Sequence, residues 1–415
     1  MTQDGESLTI LYLHQYFKTP REKGGTRSYE MARRLVSLGH EVEMIAAESS
    51  GVAFSGWRVS AEAGIRIHRL FVPYRNSMAA VRRIRAFFRF AYGAARRAAA
   101  IKADVIFASS TPLTIALPAG FAALRQKVPM VFEVRDLWPE LPIAMGVLQG
   151  RLAIAAARRL ERWAYRRSSR VVALSPGMKE GIVRTGYPAD RVHVIPNCCD
   201  LDLFRVPHAR GEAFRSSRPW LGDRPLVVYT GVLGRANGVD YLARLASYMA
   251  EIDGDVRFLV VGDGARFDAV KKVAAGLGVL ERNFFMMPAV PKNEIPDILS
   301  AADVATSLVI DIPELRNNSS NKFFDALASR TPVAINFQGW LAELLTTSHA
   351  GLVLDGKDPR SGAQDLSRVL RDPEWLREAG AAASRLAEER FDRDRLAKDL
   401  ESVLLRAVGN GSRPQ

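Results

Sequence analysis

The stretch Leu8-Thr9-Ile10-Leu11-Tyr12-Leu13, with the loop 18–25 and the run 26–38 behind it, decides the fold class. Six uncharged, mostly apolar residues read as a strand buried on both faces, the pattern of a parallel sheet. In the next segment Tyr29, Ala32, Leu35 and Val36 recur at helical spacing, and Gly39 ends the helix. Residues 41–47 form the next apolar strand. Strand, helix and strand in that order make a βαβ unit, and such units build parallel sheets.

The alternation continues outward from this unit. Strands are expected at 65–71, 105–108, 130–134 and 170–174, with helices between them. Residues 196–219 hold three prolines and read as an irregular connection. A second series follows, with strands at 226–230, 257–261, 284–287, 304–308, 332–336 and 351–354. Helices are expected at 239–252, 267–276, 295–300, 322–329, 373–390 and 392–408. The fold class is therefore α/β, with two tandem Rossmann-like domains. The boundaries fall at 1–205 and 206–390, and the helix in 391–415 docks back on the first domain. A chain of 415 residues exceeds the ~250–300 at which a single core stops growing, which agrees with two domains. Open α/β sheets bind ligands beyond the carboxyl ends of their strands, so two such domains facing a central cleft would hold two substrates.

With 48% hydrophobic and 25% charged residues, the composition is that of an ordinary globular chain and excludes disordered, collagen-like and disulfide-scaffold classes. The only cysteines, Cys198 and Cys199, are neighbours and cannot form a relaxed disulfide, which fits a reducing compartment. No signal peptide is expected, because Asp4 and Glu6 precede a short apolar run. Residues 105–124 are uncharged, but Pro112, Pro118 and four hydroxyl residues favour a strand, a loop and a helix start over a membrane span.

The net charge of +13 is concentrated. Residues 74–103 carry Arg75, Arg82, Arg83, Arg85, Arg89, Arg96, Arg97 and Lys102 with no acid, and 151–170 carry seven arginines against Glu161. The remainder is close to neutral, which excludes a uniformly basic coat. In the first stripe Ile84, Phe87, Phe88, Ala91 and Ala95 share one helical face, and Arg82, Arg85, Arg89 and Arg96 another. A basic amphipathic helix with aromatics suits an anionic membrane surface. A core-facing helix with a solvated arginine face is the alternative. No nucleic-acid motif accompanies the charge, so no nucleic-acid partner is expected.

Five segments are candidates for chemistry. Gly24-Gly25-Thr26-Arg27 precedes a helix, as either an anion-binding loop or a plain tight turn. Arg135-Asp136-Leu137-Trp138-Pro139-Glu140 follows an apolar strand, which places Arg135 and Asp136 on the ligand side of the sheet or in a structural ion pair. In Gly231-Val232-Leu233-Gly234-Arg235-Ala236-Asn237-Gly238 the glycines let backbone approach a phosphate and Arg235 adds charge. Gly262-Asp263-Gly264 ends another strand. In Asn317-Asn318-Ser319-Ser320-Asn321-Lys322-Phe323-Phe324-Asp325, Ser320 or Asn321 is the expected N-cap. The helix N-terminus with Lys322 is an expected anion site, where Asp325, one turn on, could accept from ribose hydroxyls; a capped helix with solvated polar residues is the alternative. Metal-ligand spacing, a nucleophile elbow and a Walker loop are all absent from the sequence.

The order of these motifs resembles the retaining GT-B glycosyltransferases of family 4. The likeness spans nearly the whole chain and includes Ser175-Pro176-Gly177-Met178 and Val194-Ile195-Pro196-Asn197. His14-Gln15-Tyr16-Phe17, the Gly24–Glu30 phrase and Asp136-Leu137-Trp138-Pro139-Glu140 resemble bacterial surface-polysaccharide enzymes, including N-acetyl-L-fucosamine transferases.

The resemblance implies a retaining transferase moving N-acetyl-L-fucosamine or another N-acetylated hexose from a UDP-sugar to a polyprenyl-diphosphate-linked saccharide in O-antigen or capsule synthesis. It implies catalytic roles for Asp136, Arg135, Lys322 and Arg235. It places donor contacts at Gly231, Asn237, Gly262, Gly264, Val290, Asn317, Asn321 and Asp325, and an acceptor or phosphate loop at Gly24, Gly25 and Thr26. No metal or resident cofactor is expected. The expected location is cytoplasmic, at the inner face of the plasma membrane, attached peripherally through the basic segments.

Three positions depart from the family pattern. The first acid of the usual pair is Asn317, the usual Arg and Lys of the Gly-rich turn are Val232 and Asn237, and a common His is Arg135. Arg235 or Lys322 must then clamp the diphosphate. A nucleotide-sugar epimerase of the same fold and an inactive sugar-nucleotide binder are the competing readings.

Overall fold

The computed structural model describes residues 7–22, 24–49, 53–73, 78 and 80–411, except the side chains of Ala80, Arg83, Asn410 and Gly411. Arg75 and the Arg83 side chain thus lie outside the described residues. Two compact units divide the chain, one running to Pro196 and resuming at Asp394, the other spanning Asn197–Arg393.

The first unit carries β1 (Thr9–Leu13), β2 (Glu41–Glu48), β3 (Trp57–Glu62), β4 (Ile65–Phe71), β5 (Val105–Ser109), β6 (Met130–Val134), β7 (Arg170–Ala173) and β8 (Val192–Val194). Their order in the sheet is β3-β4-β2-β1-β5-β6-β7-β8. Every neighbouring pair is parallel except β3 and β4. Ile10 of β1 pairs with Val42 on one side and Val105 on the other, so β1 is central. The five residues of β5 and of β6 are all buried, which is why both read as continuous apolar runs.

The edge strand β3 escaped the sequence reading because none of its residues is buried and four of the six are exposed, so it carries no apolar run. It folds back through the tight turn Ala63-Gly64, both with positive φ. Charged edge residues such as Arg58 also blunt pairing with other chains.

The second unit carries β9 (Leu226–Thr230), β10 (Arg257–Val261), β11 (Phe284–Met287), β12 (Val304–Ser307), β13 (Val333–Ile335) and β14 (Gly351–Val353), in the order β11-β10-β9-β12-β13-β14, all parallel. Strand alternation splits its core. Val227, Tyr229, Phe258 and Val260 pack into one cluster, and Leu226, Val228, Leu259 and Val261 into the other.

Two expectations need correction. Residues 196–219 are not irregular throughout: Leu201–Phe204 and His208–Ser216 are helices. The second unit begins at Asn197 rather than at 206. The physical reason is local pairing, since Cys199 N donates to Phe391 O at 3.0 Å and Arg393 Nη2 donates to Cys198 O at 2.7 Å. The terminal helix Arg393–Gly411 joins the first unit from Asp394 on, where Asp394 pairs with Arg34, and Glu401 accepts from His40 Nε2 at 2.9 Å. Residues 105–124 form β5, a tight turn and the helix Ala116–Gln126. Among the described residues no helix is long and apolar enough to cross a membrane.

The basic helix Ala80–Ala98 packs differently from the expected face. Ala86, Phe90, Ala91, Ala94 and Ala98 are buried, while Ile84 and Phe88 are 52% and 54% exposed. Ile84 and Phe88 lie instead with Val81 and Tyr92 in an exposed stripe. Small alanines concealed the true buried face. At 100° per residue the helix has three sectors: core, exposed apolar and arginine.

One buried contact ties the first unit together. Arg27, at the start of the helix Arg27–Ser37, donates from Nη2 and Nε to Glu133 Oε1 of β6 at 2.9 and 3.0 Å. Both side chains are inaccessible to solvent. Arg27 also donates to Ile195 O and Pro196 O, and Ser109 Oγ of β5 donates to Glu133 Oε2 at 2.6 Å. Although burial pushes the Glu133 carboxyl up, Arg27 and Arg135 hold it below its usual range. Breaking such a pair strands a buried charge and costs about 3–5 kcal/mol, whereas replacing both partners by apolar residues costs far less. Arg27→Met should therefore be destabilised by about 3–5 kcal/mol in urea unfolding, and Arg27→Met with Glu133→Leu by much less. A single variant no weaker than the double would refute this account.

Candidate functional site

In the second unit, the site is built where the ends of β9 and β10 meet the helix Asn321–Ala328. Gly231 N donates to Val261 O at 2.9 Å, and Leu233 N to Asp263 O at 2.9 Å, so the two strand-end loops interlock. A Cβ on Gly262 would lie 1.8 Å from Gly231 O, and one on Gly264 2.6 Å from Leu233 O. Both positions require glycine because the backbones touch. Gly231 itself has φ +143, and a Cβ there would press on Lys322 Cε at 3.0 Å. The Gly-rich turn and Lys322 are thus in contact.

Lys322 Nζ donates to Ser320 Oγ at 3.1 Å and lies 5.1 Å from the centre of the Tyr229 ring. Burial pulls its ammonium down to about 8, against the opposing field of Asp325. Ser320 occupies the N-cap position without capping through its side chain, and the helix begins at Asn321 rather than Lys322. The Ser320 hydroxyl is engaged by Lys322 instead, leaving the first N–H groups free of a side-chain cap.

Other predicted donor residues take distinct places. Asn237 turns its Oδ1 to Gly234 N at 3.2 Å and so closes the turn. Arg235 is exposed on the same turn. Asn317 ends the tight turn Pro313–Asn317, and Asn321 is half-buried at the helix start. Val290 packs on the cluster around Val228 and Leu259. Asp325 is buried and gives Oδ2 to Lys292 Nζ at 2.5 Å, while its Oδ1 has no hydrogen-bond partner among the described residues. Lys292 escaped the sequence reading. It sits 33 positions from Asp325 in a short Pro-Lys-Asn loop, and no local pattern marks it.

In the first unit, the ends of β1, β5 and β6 converge. Arg135 N donates to Ser110 Oγ at 3.0 Å, and Arg135 Nη1 approaches His14 Nε2 at 3.2 Å. Burial pushes the Asp136 carboxyl up to about 6 despite Arg135 beside it. Gly24 and Gly25 are exposed, Gly24 with φ +138, and Thr26 is buried at the N-cap of the helix Arg27–Ser37 without a side-chain cap bond. Arg27, which closes the expected loop, is consumed by Glu133. Glu133 is the lone acid inside an apolar strand, the signal by which this pair was open to recognition.

Comparison with known proteins places these motifs. Residues 24–198 match the model of a glycosyl transferase 4-like domain, and residues 224–372 that of glycosyl transferases group 1. A D-inositol 3-phosphate glycosyltransferase from Xylanimonas cellulosilytica is 30% identical over 250 residues, covering 58% of this chain and 58% of that protein. The chain thus spans under two thirds of that relative's length. Sucrose-phosphate synthase from Thermosynechococcus elongatus superposes with a TM-score of 0.78 at 19% identity, over 97% of this chain and all of that one. HepE of Anabaena, solved with UDP and glucose, superposes with a TM-score of 0.72 at 17% identity, over 96% and 100% of the two chains. At these identities the superpositions establish the fold.

The Lys322 geometry predicts pH-dependent anion binding. Its charge is present below about pH 8 and lost as pH rises through that value. Pyrophosphate affinity, measured by calorimetry, should weaken across this window in the wild type. In Lys322→Arg it should not, because a guanidinium stays charged. A flat profile in the wild type would remove Lys322 from the anion site.

Proposed function

For a chain that carries the two domains of the GT-B glycosyltransferases, and so belongs to that family, we propose retaining transfer of a sugar from a UDP-sugar to a lipid-linked saccharide. The contact of Lys322 with the Gly231 turn is the observation that carries this reading. It brings a cation, a helix start without a side-chain cap and a glycine turn into one place, the equipment for a diphosphate.

In this proposal the second unit holds the donor. Lys322, Arg235 and the helix start stabilise charge building on the departing diphosphate, while Asp325 Oδ1 accepts from the ribose. The first unit holds the acceptor through Arg135, Asp136 and the Gly24–Thr26 loop. The acceptor hydroxyl attacks from the face the diphosphate leaves, which retains the anomeric configuration. The sugar proposed is N-acetyl-L-fucosamine or another N-acetylated hexose, in O-antigen or capsule synthesis, from the sequence phrases around His14 and Asp136.

The acceptor's lipid tail would bring the protein to the inner face of the plasma membrane. The exposed stripe Val81, Ile84, Phe88 and Tyr92 supports this, flanked by exposed Arg82, Arg85, Arg89 and Arg96. The neighbouring helix Ala116–Gln126 exposes Phe121 and Leu124, and the arginine-rich helix Arg151–Arg167 exposes Leu152. An epimerase needs no such face.

Against a panel of UDP-sugars with a polyprenyl-diphosphate-linked saccharide, the wild type should transfer sugar. Lys322→Ala and Arg235→Ala should each lose about 10²-fold in kcat. Isomerised donor without transfer would identify an epimerase, and wild-type turnover in both variants would discard the clamp. In vesicle flotation, Ile84→Ser with Phe88→Ser should lower partition onto anionic vesicles by about tenfold or more at fixed salt, given ~1.5–3 kcal/mol for a fully buried large apolar side chain. Unchanged flotation would assign the stripe elsewhere.

A further inference from the structure

The cluster at the ends of β1, β5 and β6 contains a group to which the reading above gives no task. His14 follows β1 directly, and its backbone N donates to Ile45 O at 3.0 Å, so its position continues the strand's pairing with β2. Its ring is turned toward the end of β6, where Nε2 meets Arg135 Nη1 at 3.2 Å. A guanidinium carries donors only, so Nε2 must accept. The proton of the neutral ring then resides on Nδ1, and burial together with Arg135 keeps the ring neutral by holding its pKa well below the usual value. Nδ1–H is therefore a donor in a residue only 3% exposed, and it has no hydrogen-bond partner among the described residues. The amide nitrogen of Gln15, 1% exposed, is in the same condition. Buried donors are almost always matched, so the unmatched His14 Nδ1–H, on a ring held by Arg135, marks a place where a ligand oxygen completes the bonding.

We infer that His14 is a substrate contact: its Nδ1–H donates to a hydroxyl or ring oxygen of the acceptor saccharide, and Arg135 holds the imidazole in the tautomer that makes this possible. The inference rests on the reading that the first unit binds the acceptor. Arg135 then acts on the acceptor partly through His14, and Ser110 Oγ fixes the backbone from which Arg135 reaches. The chemistry matched is a neutral oxygen acceptor rather than a carboxylate. A lone N–H orients such an oxygen, and the charge beside it already belongs to Arg135.

Two amide substitutions separate the two ring nitrogens. The amide of His14→Asn stands near Nδ1 and keeps the donor while losing the Arg135 contact. The amide of His14→Gln stands near Nε2 and keeps an acceptor for Arg135 while losing the donor. Steady-state kinetics with a polyprenyl-diphosphate-linked N-acetylhexosamine in detergent, and the UDP-sugar that the wild type turns over, should read as follows. The acceptor KM rises about tenfold in His14→Gln and His14→Ala, stays within about twofold of wild type in His14→Asn, and the donor KM is unchanged in all three. A purely structural role would instead make His14→Asn, the smaller residue, worse than His14→Gln, and that order overturns the inference. So does an unchanged acceptor KM in His14→Gln. If the wild type transfers no sugar to any acceptor, the transferase reading fails and takes this one with it. If the wild type transfers and the variants do not discriminate, only the role of His14 falls.

Discussion

Arg27 and Glu133 form the contact on which the first unit depends. An ion pair with no exposure on either side is a poor source of stability, because desolvation offsets most of its attraction. Its worth here is positional. Arg27 belongs to the first helix, Glu133 to β6, Ser109 to β5, and the accepting carbonyls of Ile195 and Pro196 to the segment that follows β8. Four elements far apart in sequence are held by one guanidinium fork, whose five donors suit such a junction. Ser110 follows Ser109, and Arg135 and Asp136 follow Glu133 by two and three positions. The geometry of the candidate acceptor site is therefore set by the ion pair beneath it.

In the second unit, close backbone contact plays the corresponding part. The loops after β9 and β10 approach so nearly that side chains at Gly262 and Gly264 are excluded. The wall they form is made of peptide groups, whose N–H and C=O directions are fixed by the sheet rather than by rotamers. A site of this kind keeps its shape with few side chains, and the two that matter, Lys322 and Asp325, come from one turn of one helix.

What the sequence revealed follows from the same physics. Parallel strands buried on both faces leave apolar runs, so β1, β5, β6, β9 and β10 were legible from their residues. The edge strand β3 has no such run, since solvent rather than core sets its composition. The helix His208–Ser216 was hidden because it buries little beyond Gly211 and Phe214, too few for a periodic signal. The helix Ala80–Ala98 was found but its buried face was not, because alanines fit closely against the core while larger Ile84 and Phe88 remain outside. In the site, glycines and Lys322 carry local signatures. Lys292 and His14 act through partners 33 and 121 positions away, and no window of sequence shows such a pairing.

The three sectors of the helix Ala80–Ala98 separate two forces by range. The attraction of an arginine sector for an anionic surface reaches about 8 Å at physiological ionic strength and is screened beyond that. The apolar stripe contributes only once it is in contact and displaces water. In the membrane reading, arrival and orientation are then governed by charge and respond to salt. Residence is governed by Ile84, Phe88 and their neighbours and responds little. On that reading the protein would find its surface quickly and leave it slowly, and the search for a partner held in that surface would become two-dimensional.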